Sequence, residues 1–243
     1  MPYLTKEKKS EIFDEKYFKG EKGSYLGGYN FDQEYKASIP LAKTFFRLGV
    51  RKALDAGCAT GPLVKAFLDV GIEAYGVDVS KWAIENSPVA ERLRWLDLDE
   101  DKLPFPSEYF DLVTMKFVIE HLLYPEKALK EVFRVLKPGG SLYIVTDKPE
   151  NFTGGQVGHF NVRSRKAWLD LLKSIGFIPS KLFYMRFVAY LSFEKVHSGS
   201  GPIARKFLLH KMGLFGKVIR WIFKSTTYVM DRRKSTHLLL QKS

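Results

Sequence analysis

The 243-residue sequence has little of three features that would each define a class of protein. Its single cysteine, Cys58, excludes a disulfide scaffold and any metal site built from several cysteines, and it suits a reducing compartment. No apolar run approaches the ~18 residues of a membrane-spanning helix, and the N-terminal MPYLTKEKKS lacks the apolar core of a signal peptide. The five histidines follow no metal-ligand spacing. We therefore expect a cytoplasmic protein without a metal.

Acidic side chains are scarce in the last third of the chain. The formal net charge is +12, from 39 basic and 27 acidic residues. Residues 163–243 hold 17 basic but only three acidic residues, a local net charge of 17 − 3 = +14. Such a surplus favours an anionic neighbour (a membrane surface, nucleic acid or a phosphorylated substrate) or serves as a solvated basic face.

Short apolar strands alternate with longer helical stretches through most of the chain. This alternation predicts a parallel sheet with helices on both faces. Predicted strands begin at Lys52 (KALDAG), Glu73 (EAYGVD), Arg92 (RLRWLD), Phe110 (FDLVTMK) and Ser141 (SLYIVT), with a further candidate over 178–193 and a last strand from His237. Predicted helices cover 37–48, with Pro40 in the first turn, and 62–70, 81–86, 125–136 and 164–174.

We interpret the chain as one α/β domain, a doubly wound, Rossmann-like seven-strand sheet with a helical insertion before the last strand. Residues 1–50 are predicted to form an N-terminal lid or helical segment, and 51–187 the cofactor-binding core. Residues 188–235 are predicted to form a basic helical insertion and 236–243 the last strand.

The segment ALDAGCATGPLV places an acid in a glycine-containing turn between a strand and a helix. Asp55 ends the strand, and Gly57 and Gly61 let the backbone approach a ligand, which binds at this edge of a doubly wound sheet. Asp78 ends the second strand and suits the hydroxyls of a ribose. The spacing D-x-G-x-x-x-G does not match the dinucleotide pattern G-x-G-x-x-G, and a carboxylate here would repel pyrophosphate. It suits a cofactor with an ammonium and a sulfonium, such as S-adenosylmethionine.

Five segments occur in an order and spacing that resemble one enzyme family. They are ALDAGCATG, GVDVS, WLDLD, LPFPSEYFDLV and VLKPGGSLYIV. Over residues 54–177 the chain resembles the class I S-adenosylmethionine-dependent methyltransferases, most closely the small-molecule branch that includes ubiquinone and menaquinone methylases. The family's usual middle glycine of the first motif is Ala59 here.

The resemblance implies a cofactor site built from strand ends and a lid. Asp78 would bind the ribose and Val79 would pack against the adenine, with Asp97 and Leu98 at its other edge. Because Asp97 lies among other acids, a solvated charge is the alternative interpretation, and Phe117 is as well explained as a core side chain. The other implied contacts are Asp55, Gly57, Cys58, Ala59 and Gly61 around the methionine part, Lys116 and Phe117 near the sulfonium, and the lid tyrosines Tyr25 and Tyr29.

Methyl transfer from a sulfonium needs alignment more than a catalytic group, so a base is required only for acceptors that must lose a proton. The candidate base is His121, which follows the fourth strand, with the alternative that it only hydrogen-bonds backbone. Glu120 would orient His121 or face water. His159 is a candidate substrate contact.

Two absences narrow the acceptor. The fourth strand ends in MKFVIEH, without the N/D-P-P-Y/F of adenine and glutamine amino-methylases and without the acids that hold magnesium in catechol methylases. We expect direct methyl transfer to a small-molecule or lipid/glycan acceptor. A tRNA or rRNA methyltransferase and a non-catalytic membrane-associated binding protein are the alternatives.

The basic stretch 203–224 separates a lysine/arginine face from a broad apolar face when placed on a helical wheel. It suits a lid over the substrate pocket, a peripheral contact with the inner membrane face, or a surface for RNA phosphates. Nucleic acid ranks last, because no RNA-binding motif accompanies the stretch. We expect a monomer or a weak dimer.

Overall fold

The computed structural model describes residues 4–22, 28–147, 149, 158–179, 184, 186–187, 190 and 235–243. Tyr25, the basic stretch 203–224 and nearly all of the predicted insertion 188–235 lie outside the described residues.

Helices and strands alternate along the described chain as the sequence predicts. The helices are α1 (Lys6–Ile12), α2 (Glu15–Phe18), α3 (Phe31–Arg47), α4 (Pro62–Asp69), α5 (Lys81–Glu85), α6 (Pro125–Val135) and α7 (Arg165–Ile175). The strands are β1 (Lys52–Ala56), β2 (Glu73–Asp78), β3 (Leu93–Trp95), β4 (Phe110–Lys116), β5 (Leu136–Asp147), β6 (Phe177–Pro179) and β7 (Ser235–Lys242). Single 3₁₀ turns cover Ala90–Arg92 and Ile119–His121.

The seven strands form one sheet in the order β3-β2-β1-β4-β5-β7-β6, which confirms the predicted doubly wound fold. The sheet is mixed rather than wholly parallel, because β7 runs antiparallel to both β5 and β6. Periodicity could not show this, since β7 pairs with strands far from it in sequence. The register sets Asp55 opposite Gly76 of β2 and Thr114 of β4, so the carboxyl ends of β1, β2 and β4 meet at one edge.

Each face of the sheet carries its own apolar core. Val132 of α6 and Trp168 of α7 are fully buried on one face, and Phe45 of α3 and Phe67 of α4 on the other. Successive residues of β1 contribute to opposite cores, as the two-residue period of a strand requires. The edge between these helix layers stays open to a ligand.

Two element predictions were wrong in detail. Helix α3 begins at Phe31, where the Asn30 side chain accepts a hydrogen bond from the Gln33 amide (3.0 Å), so Pro40 lies inside the helix rather than in its first turn. The helix tolerates this proline at the cost of one backbone hydrogen bond. Of the described residues within 178–193, Ile178 and Pro179 belong to a strand, and Tyr184 and Phe187 are helical. Their three-residue spacing places both against the α3 side of the core.

Within the described residues, no helix combines the length and the apolar character that crossing a bilayer requires.

Candidate cofactor site

A cavity of about 260 Å³ lies at the carboxyl ends of β1 to β4. Its described lining includes most of the predicted cofactor residues: Tyr29, Asp55, Gly57, Cys58, Ala59, Asp78, Val79, Asp97, Leu98, Lys116 and Phe117. His121 lines it too. Gly61 is not among the lining residues, and it turns the chain into α4.

In the turn after β1, every second residue adopts the left-handed conformation: Gly57 (φ +84°), Ala59 (φ +51°) and Gly61 (φ +80°). A Cβ at Gly57 would lie 2.1 Å from Cγ2 of Val118, so the site requires glycine for space as well as for conformation. The amides of Gly57 and Cys58 both donate to the Val77 carbonyl (2.7 and 3.1 Å), which ties the turn to the end of β2.

Ala59 occupies its left-handed conformation with help from Asp78. The Ala59 amide donates to Asp78 Oδ2 (2.7 Å), and the Ser80 amide donates to Asp78 Oδ1 (2.8 Å). A non-glycine residue at positive φ is uncommon, and this hydrogen bond helps to hold it there. Asp78 therefore shapes the turn as well as lining the pocket.

Two carboxylates, the buried Asp55 and the half-buried Asp78, face the same pocket. Burial raises the pKa of Asp55 to about 6, although the hydrogen bond from Thr114 Oγ1 (2.6 Å) and the positive charge of Lys116 both lower it. Burial also raises the pKa of Asp78, and the negative charge of Asp78 adds to the shift at Asp55. A cationic ligand would restore the electrostatic stabilisation that both ionised groups lose on burial. The residues present therefore fit a cofactor that carries positive charge.

Cys58 contributes a small, unreactive wall. Its side chain is buried, and burial with the nearby charges of Asp78 and Asp55 raises the pKa of the thiol well above its ordinary value. Since the thiolate is the nucleophilic form, this environment disfavours a reactive cysteine.

The acid at the end of β3 is not a solvated charge. Asp97 is 2% exposed, and its Oδ2 accepts a hydrogen bond from Lys9 Nζ at 2.7 Å. Its Oδ1 accepts from the Asp99 amide (3.0 Å). Sequence reasoning missed Lys9, because nothing in the run KEKKS distinguishes the buried lysine from its exposed neighbours.

Aromatic side chains from the N-terminal helices cover the pocket. Phe18 makes an edge-to-face contact with Tyr29 at 5.3 Å between ring centroids, and the Tyr29 amide donates to the Phe18 carbonyl (2.6 Å). Burial raises the pKa of both Tyr17 and Tyr29. Phe13, Tyr17 and Phe18 also line the pocket but were not predicted, because their spacing suits an ordinary amphipathic segment equally well.

Phe117 is not a core side chain. It follows β4 with φ +55°, is 48% exposed and lines the pocket. A bulky residue at positive φ is strained, and such strain occurs often at functional sites. The Phe117 amide donates to the Val145 carbonyl (2.7 Å), which holds this conformation against β5.

His121 lies where β4 leads into α6, beneath the N-terminal segment. Its Nδ1 is 2.9 Å from the Gly158 carbonyl, and because a carbonyl can only accept, Nδ1 carries the proton. Burial, with the neighbouring His159, lowers the pKa of His121 to about 4. The ring is therefore neutral at pH 7, and Nε2 retains a lone pair.

Glu120 is placed differently from its predicted role, and His159 packs against the His121 ring. Glu120 is fully buried, with Oε2 accepting from Thr146 Oγ1 (3.0 Å), so it faces the strand β5 rather than water or the His121 ring. Burial raises the pKa of Glu120 to about 7. His159 lies behind His121, with ring centroids 4.5 Å apart and its Nδ1 3.8 Å from Asp147 Oδ2. Its contact with substrate stays a prediction.

Comparisons with known proteins match the part of the chain that follows β1 and carries most of this site. Residues 54–144 match the family model described as a methyltransferase domain. The ubiquinone/menaquinone biosynthesis C-methyltransferase UbiE of Stutzerimonas stutzeri is 33% identical over 111 residues, which are 41% of this chain and 43% of that protein. UbiE of Azotobacter vinelandii is 32% identical over 130 residues, 47% of this chain and 51% of that protein. The chain thus spans about half the length of these relatives.

Solved structures show the same fold at low sequence identity. A SAM-dependent methyltransferase from Archaeoglobus fulgidus matches with a TM-score of 0.59 and 18% identity over 93% of this chain and 98% of that chain. The cyclase SpnF matches with a TM-score of 0.53 and 20% identity over 85% of this chain and 81% of that chain. At these identities the likeness concerns the fold alone. Residues 54–144 therefore match a methyltransferase domain, and the motif order and the sheet topology fit the class I methyltransferase fold.

Proposed function

We propose that the protein transfers a methyl group from S-adenosylmethionine to a small-molecule or lipid/glycan acceptor by direct displacement. The observation that carries the proposal is a pair of carboxylates, the buried Asp55 and the half-buried Asp78, beside a left-handed glycine turn in one cavity of about 260 Å³. Burial disfavours both negative charges, and a ligand with an ammonium and a sulfonium would compensate them. Pyrophosphate would be repelled by the same two groups.

The residues of the site act by binding and orientation. When bound, S-adenosylmethionine supplies a methyl group on a sulfonium, which is already activated for displacement. Asp78 and the turn from Gly57 to Ala59 would hold the nucleoside and methionine parts, while Tyr29 and Phe18 exclude water from above. Alignment of this kind can lower the activation free energy of a two-reactant step by roughly 7–11 kcal/mol.

His121 would position the acceptor more effectively than it would deprotonate it. A pKa of about 4 makes the ring a weak base at pH 7, since proton transfer is most efficient when the pKa lies near the working pH. Its Nε2 lone pair would accept a hydrogen bond from an acceptor hydroxyl or amine. The general-base role stays a prediction. His121→Gln, which keeps an acceptor atom, should retain more activity than His121→Leu, and equal losses would argue against a hydrogen-bonding role.

The acceptor class is supported by the relatives and by one surface of the pocket. The matched relatives are named as C-methyltransferases of ubiquinone and menaquinone biosynthesis. In this chain, the exposed ring of Phe117 offers an apolar face beside the end of β4. The proposal that the acceptor is a small or lipid-linked molecule rests on these two observations.

The alternative from another class is a binding protein that keeps the fold without turnover, and the SpnF comparison shows that this fold is not confined to proteins named as methyltransferases. The two are separated by measuring S-adenosylhomocysteine formed from S-adenosylmethionine in the presence of hydroquinone acceptors or of tRNA. Product with hydroquinones supports the proposal. Product with tRNA alone would replace the acceptor class, and binding without product under either condition favours the binding protein.

The cofactor assignment is tested by calorimetric titration with S-adenosylhomocysteine, with NAD as the contrasting ligand. Asp78→Ala should weaken binding roughly 10- to 100-fold, because hydrogen bonds to a charged group contribute about 1.5–3 kcal/mol. Asp78→Asn, which keeps one acceptor oxygen for the turn, should lose less. Glu73→Ala is the matched control, since Glu73 begins the same strand and pairs with Lys52 away from the pocket. Heat with NAD but none with S-adenosylhomocysteine would overturn the assignment.

A further inference from the structure

A buried ion cluster joins the N-terminal helix to the cofactor pocket. Lys9 of α1 places its Nζ 2.7 Å from Asp97 Oδ2 and 2.8 Å from Asp99 Oδ2. The three residues are 4%, 2% and 2% exposed, and all of them line the pocket. They join α1 to the chain that follows β3.

The cluster is too deeply buried to be an ordinary surface ion pair. Burial lowers the pKa of Lys9, but the hydrogen bonds with Asp97 and Asp99 outweigh that effect and raise it above its usual value. The lysine therefore remains charged, and loss of its charge would leave two buried carboxylates without their cation. Removing one partner of a buried pair is far more costly than removing one partner of an exposed pair.

Asp99 extends the cluster to the other wall of the pocket. Its carboxylate also accepts hydrogen bonds from the amides of Leu123 (3.0 Å) and Tyr124 (2.7 Å), at the start of α6. This is the segment that follows His121. One lysine thus connects α1, the end of β3 and the chain between β4 and α6.

Other contacts place the rest of the N-terminal segment over the same pocket. We name residues 6–22 the lid segment. The Ser80 hydroxyl donates to the Phe13 carbonyl, the Lys81 amide donates to Ser10 Oγ (3.0 Å), and the ring of Phe13 packs edge-to-face on His121 at 5.3 Å. A molecule in the pocket would touch the lid segment on one side and the strand ends on the other.

We infer that Lys9 is a positioning residue that couples docking of the lid segment to cofactor binding. The inference rests on the proposed function, because it concerns the same pocket. The coupling is reciprocal: the docked lid segment and the bound cofactor stabilise each other by the same free energy. Couplings of this kind change affinity by about 5- to 150-fold.

The test compares two lysines of α1 by calorimetry with S-adenosylhomocysteine. Lys9→Met should weaken binding by roughly 5- to 150-fold. Lys8→Met is the matched control, because the Lys8 side chain on the same helix is exposed, and its variant should bind as the unmodified protein does. Lys9→Arg keeps the positive charge and should recover part of the affinity that Lys9→Met loses. If only the packing of the lysine side chain mattered, Lys9→Arg would not recover affinity.

Trypsin supplies a second readout, since the lid segment is rich in lysine. In the unmodified protein S-adenosylhomocysteine should slow cleavage within 6–22, whereas in Lys9→Met cleavage should be fast with or without it. A folded Lys9→Met variant with unchanged affinity overturns the inference, as does one whose lid segment remains protected.

The unmodified protein keeps the inference testable if Lys9→Met does not fold. Hydrogen exchange of the α1 amides should slow when S-adenosylhomocysteine is added, and an unchanged rate overturns the coupling. Failure of the proposed function would look different, because the unmodified protein itself would then give no heat with S-adenosylhomocysteine.

Discussion

Adding one methyl group at Gly57 should destabilise the protein far more than the same change at a glycine with open surroundings. The new Cβ would lie 2.1 Å from Cγ2 and 3.0 Å from Cγ1 of Val118, on a backbone with φ +84°. The left-handed conformation costs an alanine about 1–2 kcal/mol, and overpacking a core costs about 1–3 kcal/mol. We therefore expect Gly57→Ala to lower the free energy of unfolding by roughly 2–5 kcal/mol.

Gly139→Ala separates the two contributions. Gly139 also has a positive φ (+73°), but a Cβ there would meet nothing within 4 Å. Its substitution should cost only the conformational ~1–2 kcal/mol. The double variant Gly57→Ala/Val118→Ala removes both clashing methyl groups and should recover most of the overpacking cost, giving a coupling energy of about 1–3 kcal/mol in a double-mutant cycle.

Thermal and chemical unfolding measure these differences. In a chain of this size each kcal/mol lowers Tm by ~2–4 °C, so Gly57→Ala should unfold roughly 4–20 °C lower. Because Gly57 lines the pocket, affinity for S-adenosylhomocysteine should fall as well. Equal costs at Gly57 and Gly139, or no recovery on truncating Val118, would refute the packing argument.

Three further outcomes are expected. Asp55, with a pKa of about 6, is ionised above that pH and protonated below it, so the affinity for S-adenosylmethionine should be level at pH 7–8 and fall by up to ~tenfold per pH unit below pH 6. Calorimetry across this pH range measures the affinity, and Asp55→Asn should flatten the profile. An affinity that rises on acidification would contradict the assignment. Cys58, buried and with a raised pKa, should resist iodoacetamide at pH 8 until the protein is unfolded; rapid labelling of the native protein would show the thiol to be accessible. The stretch 203–224 is predicted to bind anionic vesicles in a salt-sensitive way, and a protein that never co-sediments with them at low salt would lack this membrane contact.

Sequence patterns predicted the elements whose signals are local. The bounds of β2 and β4 match the predicted strands residue for residue, because each strand is a short, mainly apolar segment between stretches that predict turns or helices. The cofactor turn was also predictable from local sequence, since Asp55, Gly57 and Asp78 lie at or directly after the ends of predicted strands. The antiparallel place of β7 between β5 and β6 was not predictable, because strand pairing depends on partners distant in sequence.

The sequence by itself determined where the acids and glycines meet the strand ends, and hence the resemblance to methyltransferases that use S-adenosylmethionine. Tertiary structure decided which of those groups are buried and what they contact. Lys9 and Asp97 are 88 residues apart, and only the docking of α1 turns two ordinary charges into a buried pair. His121 acquires a pKa of about 4 in the same way, since its environment is made by Phe13, Gly158 and His159 from segments that periodicity treats as unrelated. Local patterns specify the backbone path, whereas desolvation and pairing depend on which segments the folded chain brings together.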